Sequence, residues 1–223
     1  LDNTIALHQK GLPELKEINQ AFLQGMLSKN NVLPPKIRFA TFIGDWEQRK
    51  LGEAVSFLNG KAYKQQELLN EGKYRVLRVG NFNTNNKWYY SDLELEENKY
   101  ANRGDLLYLW ATDFKPEIWT HERVIFHYHI WKLVITTTDV DKQFLYVWLM
   151  NDREQIKKNT NGTTMVHVTK GNMEQRLFGF PSNEEQVKLG LFFKKFASII
   201  DLHQQKIDKL QQIKKAYLQK MFI

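Results

Sequence analysis

The stretch that most constrains the fold is the last one, residues 183–223, which contains no proline and a single glycine, Gly190. Its large apolar residues recur in steps of three, four or seven, at Leu189, Phe193, Phe196, Ile200, Ile207, Leu210, Tyr217 and Met221. That spacing predicts a long helix with an apolar seam of period about 3.5 residues. A helix cannot bury such a seam alone, so we expect a partner helix to pair with it, through Ile200, Ile207, Leu210, Tyr217 and Met221.

The start of the chain supplies that partner, because it repeats the sequence of the last stretch. Residues 5–26 align with residues 200–221 without a gap at a constant offset of 195, and 10 of the 22 aligned positions are identical. We interpret this as an internal repeat. Gly11 and Pro13 interrupt the helical pattern of the first copy, and proline inside a helix costs about 3 kcal/mol. We therefore expect a kink, or one helix ending near Lys10 and another starting at Pro13.

Between the two copies, the pattern is that of a mixed domain. Residues 29–36 (KNNVLPPK) oppose helix and predict a linker. Residues 74–79, 105–110, 124–126 and 128–136 are typical of strands, whereas residues 141–158 predict a helix. Residues 170–177 are compatible with a short helix or strand. We expect an α+β domain over residues 37–182, with polar loops at 81–87, 112–116 and 159–164.

Composition excludes several classes of protein. The 223 residues include no cysteine, so disulfides, thiolate metal sites and cysteine nucleophiles are impossible. No apolar run approaches the length of a membrane span and no signal peptide is visible, which favours a cytoplasmic protein. The net charge of +7 is a modest indication of nucleic acid or an acidic membrane as a partner, although many soluble proteins carry such a charge. The chain opens on Leu1 rather than Met, so we expect a fragment.

No catalytic motif is present. The sequence lacks a glycine-rich phosphate loop, a G-x-S-x-G elbow and an Asp/Asn-Pro-Pro-Tyr/Phe methyltransferase motif. His121, His127 and His129 cluster without the spacing of a zinc site, so ordinary hydrogen bonding is the better interpretation and no metal is expected. His8 and His203 occupy equivalent positions in the repeat, either as a polar register device in the seam or as partly exposed residues at its edge.

Three loops of the middle domain mix amides, hydroxyls, aromatics and lysines: residues 59–64 (NGKAYK), 80–88 (GNFNTNNKW) and 157–164 (KKNTNGTT). Amides can pair with base edges and lysines with phosphates, although such stretches are also ordinary turns. For base readout we select Tyr63, Asn81, Asn83, Thr112, Asn161 and Thr163. For phosphate contacts we select Lys61, Lys64, Lys87, Lys115, Lys157 and Lys158.

Several blocks resemble the specificity subunit of type I restriction–modification systems. The blocks are residues 45–53 (DWEQRKLGE), 78–82 (RVGNF), 103–107 (RGDLL), 162–164 (GTT), 181–186 (PSNEEQ), 199–204 (IIDLHQ) and 214–222 (KKAYLQKMF). The resemblance implies the C-terminal half of such a subunit: residues 1–28 as the tail of a central conserved helix, 37–182 as a target-recognition domain, and 183–223 as the C-terminal conserved helix. In this family the two helices pair as an antiparallel coiled coil.

The resemblance also implies a function without catalysis. One recognition domain would read one half of a split DNA target, and the helices would set the spacing between half-sites and dock a modification subunit. That partner would carry S-adenosylmethionine, a restriction subunit would join the complex, and this chain would bind no cofactor. Two alternatives stay open: a fused methyltransferase or nuclease, against which the missing motifs count, and a helical assembly or adaptor protein whose helices dimerise and whose central domain binds protein. We also expect a homodimer, because the seam near Leu189, Phe193 and Phe196 lacks a partner.

Overall fold

Two long helices, α1 (Asp2–Met26) and α5 (Asn183–Met221), flank the domain between them in the chain. The computed structural model describes residues 1–27, 34–83, 85–111, 114–160 and 168–221, and of residues 158–160 and 221 it describes the backbone only. The predicted linker at 29–36 lies mostly outside these ranges. The α+β fold with long helices at both ends is confirmed.

The two long helices pack side by side and run in opposite directions. Near the start of α1, Asp2 forms an ion pair with Lys214 Nζ at 2.6 Å. Near its end, the Phe22 ring lies 5.4 Å from the Phe192 ring, edge to face. Residue numbers therefore rise along one helix as they fall along the other, which confirms the antiparallel pairing.

Helix α1 is continuous from Asp2 to Met26 with Pro13 inside it, so the alternative of one helix ending near Lys10 and another starting at Pro13 is wrong. Pro13 lies on the exposed side of the helix, whereas its neighbour Leu12 is buried. Burial of an aliphatic side chain stabilises by about 1.5–3 kcal/mol, and Ile5 is buried as well. Packing along α5 thus offsets a proline penalty of about 3 kcal/mol.

The repeat and the antiparallel pairing together generate a local two-fold axis. His8 and His203, which are equivalent in the repeat, contact each other with Nδ1 atoms 3.4 Å apart. A residue can meet its own copy in this way only at the axis. Both rings are half-buried. The two histidines are thus partly exposed and also form a polar contact in the seam, so each interpretation holds in part.

The seam residues divide along the length of α5. Ile207 is 4% exposed, and Ile200 and Leu210 are half-buried, as helix pairing requires. Tyr217 is 64% exposed, so its assignment to the pairing seam is wrong. The reason is geometric, because Lys214 already lies opposite Asp2 and α5 runs on past α1. The side chain of Met221 lies outside the described residues.

The seam near Leu189 and Phe193 is not short of a partner, contrary to expectation. Leu189 is 1% exposed and Phe193 is 4% exposed, and both belong to the main core of the domain. Phe196 packs its ring against Phe22 of α1 at 6.1 Å. The first third of α5 is therefore covered by the domain and by α1, and the uncovered part of the seam lies at the other end of the helix.

In the part of the middle domain that the structure describes, there are two four-stranded sheets, a two-stranded sheet and three further α-helices. The helices are α2 (Leu51–Ala54), α3 (Lys142–Thr160) and α4 (Lys170–Glu174). The strands are β1 (Glu47–Lys50), β2 (Val55–Asn59), β3 (Tyr74–Leu77), β4 (Tyr89–Ser91), β5 (Tyr100–Ala101), β6 (Leu106–Leu109), β7 (Lys115–Ile118), β8 (Val124–Phe126), β9 (Ile130–Ile135) and β10 (Leu177–Phe180). Strands β3, β6, β8 and β9 and helix α3 confirm the sequence predictions.

The sheets have the orders β2-β9-β6-β7, β4-β3-β8-β5 and β1-β10. A core of residues such as Leu107, Ile130, Leu77 and Phe126 joins the two larger sheets. The larger core lies between the first sheet, α3 and the long helices. Strand β7 falls partly in a segment predicted as loop; it carries Pro116 and forms an edge, where a missing N–H donor is tolerated.

The beginning of α5 is fixed to the domain by a buried charge. Glu185, whose side chain is 2% exposed, accepts hydrogen bonds from Arg38 Nε at 2.9 Å and Arg38 Nη2 at 2.7 Å. Trp46 Nε1 donates to the same carboxylate at 3.2 Å. The next residue, Gln186, donates to the carbonyls of Asp139 and Pro181. The middle domain and the helix pair are thereby held in one orientation.

Candidate nucleic-acid interface

Four loops gather at one edge of the two larger sheets because of the way the strands pair. Strands β3 and β8 are parallel, with Leu77 opposite Phe126, so the loops after them emerge together. Strands β2 and β6 both run antiparallel to β9, which places their last residues beside the first residues of β9. We call this the loop edge, formed by residues 60–64, 78–88, 110–114 and 127–129, of which 84, 112 and 113 lie outside the described residues.

The 60–64 segment packs closely on the turn after β8. A Cβ atom at Gly60 would lie 2.3 Å from the Phe126 carbonyl oxygen, so only glycine fits there. Lys61 then pairs with His127 as an isolated parallel bridge, and its Nζ lies 3.2 Å from Glu67 Oε1. Lys64 is exposed. Of the two lysines predicted here to meet phosphate, Lys64 is thus the more accessible and Lys61 would first have to leave its carboxylate.

Tyr63 and His127 stack at the same place, with ring centroids 6.2 Å apart. Burial raises the pKa of Tyr63, whose hydroxyl is enclosed without a hydrogen-bond partner among the described residues. Burial, with smaller contributions from His129 and Arg78, lowers the pKa of His127 to about 4. At neutral pH this imidazole is uncharged, so it can offer hydrogen bonds and a ring face but no positive charge.

The 78–88 loop is organised by Asn81. Its side-chain oxygen accepts from the Arg78 amide at 3.0 Å, and its nitrogen donates to the carbonyls of Asn85 at 3.2 Å and Lys87 at 3.1 Å. The amide selected for base readout is therefore engaged within its own loop, where it shapes the backbone. Asn83 and Lys87 are exposed on the outside of the same loop, in the position that a ligand could reach.

Aromatic rings fill the space between the loops. Trp110 donates from Nε1 to the Tyr128 carbonyl at 2.8 Å and stacks on Trp131 with centroids 5.5 Å apart. Tyr128 is 39% exposed and lies 4.0 Å from the His129 ring. Phe114 has a φ of 48°, a left-handed conformation that is strained for a bulky residue and recurs at functional sites.

Two cations at the loop edge pack on an aromatic ring. The sequence analysis did not select Arg78, and it selected Lys87 without predicting this ring. Arg78 places its guanidinium carbon 4.2 Å from the centre of the Tyr89 ring, and Lys87 Nζ lies 5.3 Å from the same centre. Residues 74–91 contain Arg75, Arg78 and Lys87 and no acidic residue. A stretch with three cations and no acidic residue is visible in the sequence, and it was the signal that could have identified Arg78. Cations over aromatic rings are typical of surfaces that bind nucleic acid.

The remaining predicted residues lie beside the loop edge or outside the described ranges. Lys115, at the start of β7, forms an ion pair with Glu117. Lys157 is exposed near the end of α3. The side chain of Lys158 and all of Thr112, Asn161 and Thr163 lie outside the described residues, so their roles stay predictions.

The histidines do not assemble into a metal site within the described ranges. His127 and His129 have ring centroids 4.7 Å apart, but His121 packs on Trp119 at the opposite edge of the sheets. No group of three described His, Asp or Glu residues could hold a metal ion. In the same ranges, no helix combines the length and the apolar character that crossing a membrane demands.

Residues 43–212 match the family model of the type I restriction modification DNA specificity domain. The match extends from the residues before β1 into the last helix and covers more than half of the chain. The chain belongs to this family. Membership confirms the resemblance drawn from the sequence blocks, and it favours DNA recognition over the helical adaptor that the sequence left open.

Relatives in the specificity family agree with this assignment. The type I restriction enzyme MjaVIII specificity subunit of Methanocaldococcus jannaschii is 26% identical over 180 residues, which are 80% of this chain and 42% of the relative. The crystal structure of the HsdS subunit from Thermoanaerobacter tengcongensis superposes with a TM-score of 0.71 at 14% identity, covering 98% of this chain and 53% of that one.

A third protein has the same fold: the type I restriction-modification S subunit from M. genitalium, with a TM-score of 0.58 at 17% identity, covering 98% of this chain and 58% of that one. The chain thus spans about half the length of the specificity subunits that it matches. One recognition domain with a helix on either side is the part that it shares with them.

Proposed function

We propose that this chain is a sequence-specific DNA-recognition unit that reads one half of a bipartite target and catalyses no reaction itself. The observation that carries this proposal is the convergence, at one edge of the sheets, of four loops that together carry lysines, an arginine, amides and aromatic rings, in a chain of the DNA specificity family. Among the residues of that edge that the structure describes, none is arranged as a nucleophile with a base. Its chemistry is that of binding.

At the loop edge the side chains divide into two kinds of contact. Exposed Lys64 and Lys87, and Arg78 over its tyrosine, are placed to neutralise phosphates. Asn83 and Tyr128 are exposed between them and carry the polar groups and ring that read base edges. Asn81 contributes indirectly, by fixing the loop that presents Asn83.

The proposed partners follow from the family. Double-stranded DNA occupies the loop edge, and the long helices dock a modification subunit that carries S-adenosylmethionine, with a restriction subunit joining the complex. On this proposal the chain binds no cofactor of its own and works in the cytoplasm. The buried Glu185 contacts support it, since they hold the recognition domain rigidly against the helices that would set half-site spacing.

We further propose that the chain forms a two-fold dimer through the exposed end of α5. Tyr217 is 64% exposed and Leu218 is 45% exposed. Their repeat equivalents, Phe22 and Leu23, pack against the main core of the domain. By that equivalence, the exposed end of α5 is the surface that would receive the recognition domain of a second copy, so the dimer would prefer a palindromic split site.

The phosphate contacts are tested by salt dependence. Lys64→Ala and Lys87→Ala should weaken binding to all duplexes alike and reduce the slope of log affinity against log salt by about one unit each. Lys10→Ala, on the exposed side of α1 away from the loop edge, is the matched control and should change neither quantity. Equal slopes for all three variants would remove the loop edge as the phosphate-binding surface.

Base readout is tested by comparing the target with random DNA. If Asn83 reads a base, Asn83→Ala should cost about 1–3 kcal/mol on the target selected by the assembled complex and little on random duplex. Asn81→Ala should reduce binding to the target by disordering the loop, with a measurable loss of folding stability as well. Loss of discrimination with Asn161→Ala would extend the interface to the end of α3.

A further inference from the structure

A pocket lies at the edge of the sheets opposite the loop edge. It has a volume of about 580 Å³, within the range of small-molecule sites. Strands β3 and β8 begin here and end at the loop edge, and Trp88, the last residue of the 78–88 loop, borders both places. We call it the cationic pocket, and its lining includes Arg75, Trp88, Tyr90, Arg103, Trp119 and His121.

The pocket contains two arginines without a carboxylate partner. Its other two cations are already paired: Lys73 with Glu94, and Arg123 with Glu97 through two bonds of 2.9 and 2.8 Å. Within the part of the chain that the structure describes, neither Arg75 nor Arg103 forms an ion pair, and both are exposed. Guanidinium groups bind phosphate through two parallel hydrogen bonds, so a pair of them is suited to that anion.

The walls of the pocket are flat and aromatic. Trp119 is 5% exposed, and it is fixed by donation from Nε1 to the Glu122 carbonyl at 2.7 Å and by an edge-to-face contact with Phe82 at 5.9 Å. Trp88 is half-buried, with the Arg75 guanidinium carbon 5.6 Å from its ring centre. A rigid ring wall beside arginines offers a stacking surface for a planar group next to a site for an anion.

We propose that the cationic pocket binds a nucleoside monophosphate unit, with its base against Trp88 and Tyr90 and its phosphate on Arg75 and Arg103. A nucleotide combines the two features that the lining offers, a planar ring and a phosphate a few bonds away. An acidic peptide would satisfy the arginines and leave the aromatic wall unused. The unit belongs either to a free mononucleotide or to an unpaired nucleotide of a DNA strand, and the site adjoins the loop edge at Trp88 while its two arginines lie outside that edge.

The test is a fluorescence titration of the full chain with AMP, adenosine, inorganic phosphate and a short single-stranded oligodeoxynucleotide. AMP should quench tryptophan emission and bind more tightly than adenosine or phosphate. A tighter oligonucleotide would identify a DNA strand as the source of the unit, and tighter AMP a free nucleotide. No quenching at millimolar AMP, or equal competition by phosphate alone, would overturn the proposal.

Variants separate this site from DNA recognition. Arg75→Gln and Arg103→Gln should each weaken AMP binding about tenfold, because each removes a hydrogen-bonded charge, and should leave duplex binding unchanged. Arg78→Gln, directly after the other end of β3, is the matched control. It should weaken duplex binding and leave AMP binding unchanged. Trp88→Leu should reduce AMP binding but not phosphate binding. If Arg78→Gln alone lowers AMP affinity, the nucleotide is bound at the loop edge and the cationic pocket is not its site.

Discussion

Phe22 and Leu23, near the end of α1, and Tyr217 and Leu218, near the end of α5, are equivalent in the repeat but have opposite surroundings. Leu23 is 9% exposed within the main core, and the Phe22 ring packs on Phe192 and Phe196. Tyr217 is 64% exposed and Leu218 is 45% exposed. The difference arises because the recognition domain sits against the end of α1, whereas among the described residues no domain packs against the end of α5.

Nearly the same sequence therefore serves as core in one place and as surface in the other. A repeat preserves the side chains that a neighbour needs, whether or not the neighbour lies in the same polypeptide. The apolar end of α5 is explained by the role of its copy and not by any contact of its own within the described residues. Substitutions at matched positions of the two copies test whether their surroundings account for this difference in burial.

The largest effect is expected at the anchored end of α5. Glu185→Ala should lower the free energy of unfolding by about 3–5 kcal/mol, because it leaves Arg38 without its partner in a largely buried position. The neighbouring Glu184 is exposed, so Glu184→Ala should stay within about 0.5 kcal/mol of the parent chain. Urea denaturation followed by circular dichroism measures both. Similar losses for the two variants would show that Glu185 does not anchor the helix.

The matched leucines test the comparison directly. Leu23→Ala should cost about 2–4 kcal/mol, since it opens a cavity in the core. Leu218→Ala makes the same chemical change at the equivalent position and should cost less than about 0.5 kcal/mol in the monomer. Denaturation at high dilution gives the two values. Equal costs would mean that the end of α5 is already covered in solution.

The exposed end of α5 should matter for association. Tyr217→Lys should leave the unfolding free energy of the monomer nearly unchanged and abolish the dimer, because it places a charge in the apolar contact. Light scattering at micromolar concentration compares the variant with the parent chain. Leu7→Lys, on an exposed position of α1, is a control for added charge. A parent chain that is strictly monomeric with folded helices would end the dimer proposal.

The smallest expected effect is on the pH dependence of stability, and it arises from His127 in the recognition domain rather than from the helices. The pKa of His127 is lowered to about 4, so the unfolded chain binds a proton at higher pH than the folded one. Stability should therefore be complete above about pH 6.5 and decline as the pH falls toward the folded pKa. His127→Gln should flatten this decline in the tryptophan signal of the domain. An unchanged pH profile would assign the acid sensitivity to other groups.

The helices could be predicted because their evidence is in the chain itself. A seam of fixed period and a repeat of constant offset define both helices, and the resemblance supplied their direction. The sequence does not tell which element packs against each copy of the repeat. Tyr217 was therefore assigned to the pairing seam, although α1 does not extend far enough to cover it. The continuity of α1 through Pro13 likewise depends on tertiary packing that propensity omits.

The loop edge was predicted in part, because lysines and amides in loops are visible but their directions are not. Asn81 was chosen for chemistry that it does possess, and its hydrogen bonds turn out to close its own loop. Arg75, Arg103 and Trp88 are scattered along the sequence and meet only through strand pairing. Arrangements of that kind cannot be seen before the register of the sheets is known.

The contact between His8 and His203 constrains which substitutions the two helices can accept. A residue on a two-fold axis faces its own copy, so it must be complementary to itself. Two lysines or two aspartates there would repel, whereas two neutral imidazoles can pair if one carries its proton on Nδ1 and the other does not. The two copies are then chemically unequal at every instant, although their sequences match. Either position can change alone only to a residue that accepts histidine opposite it.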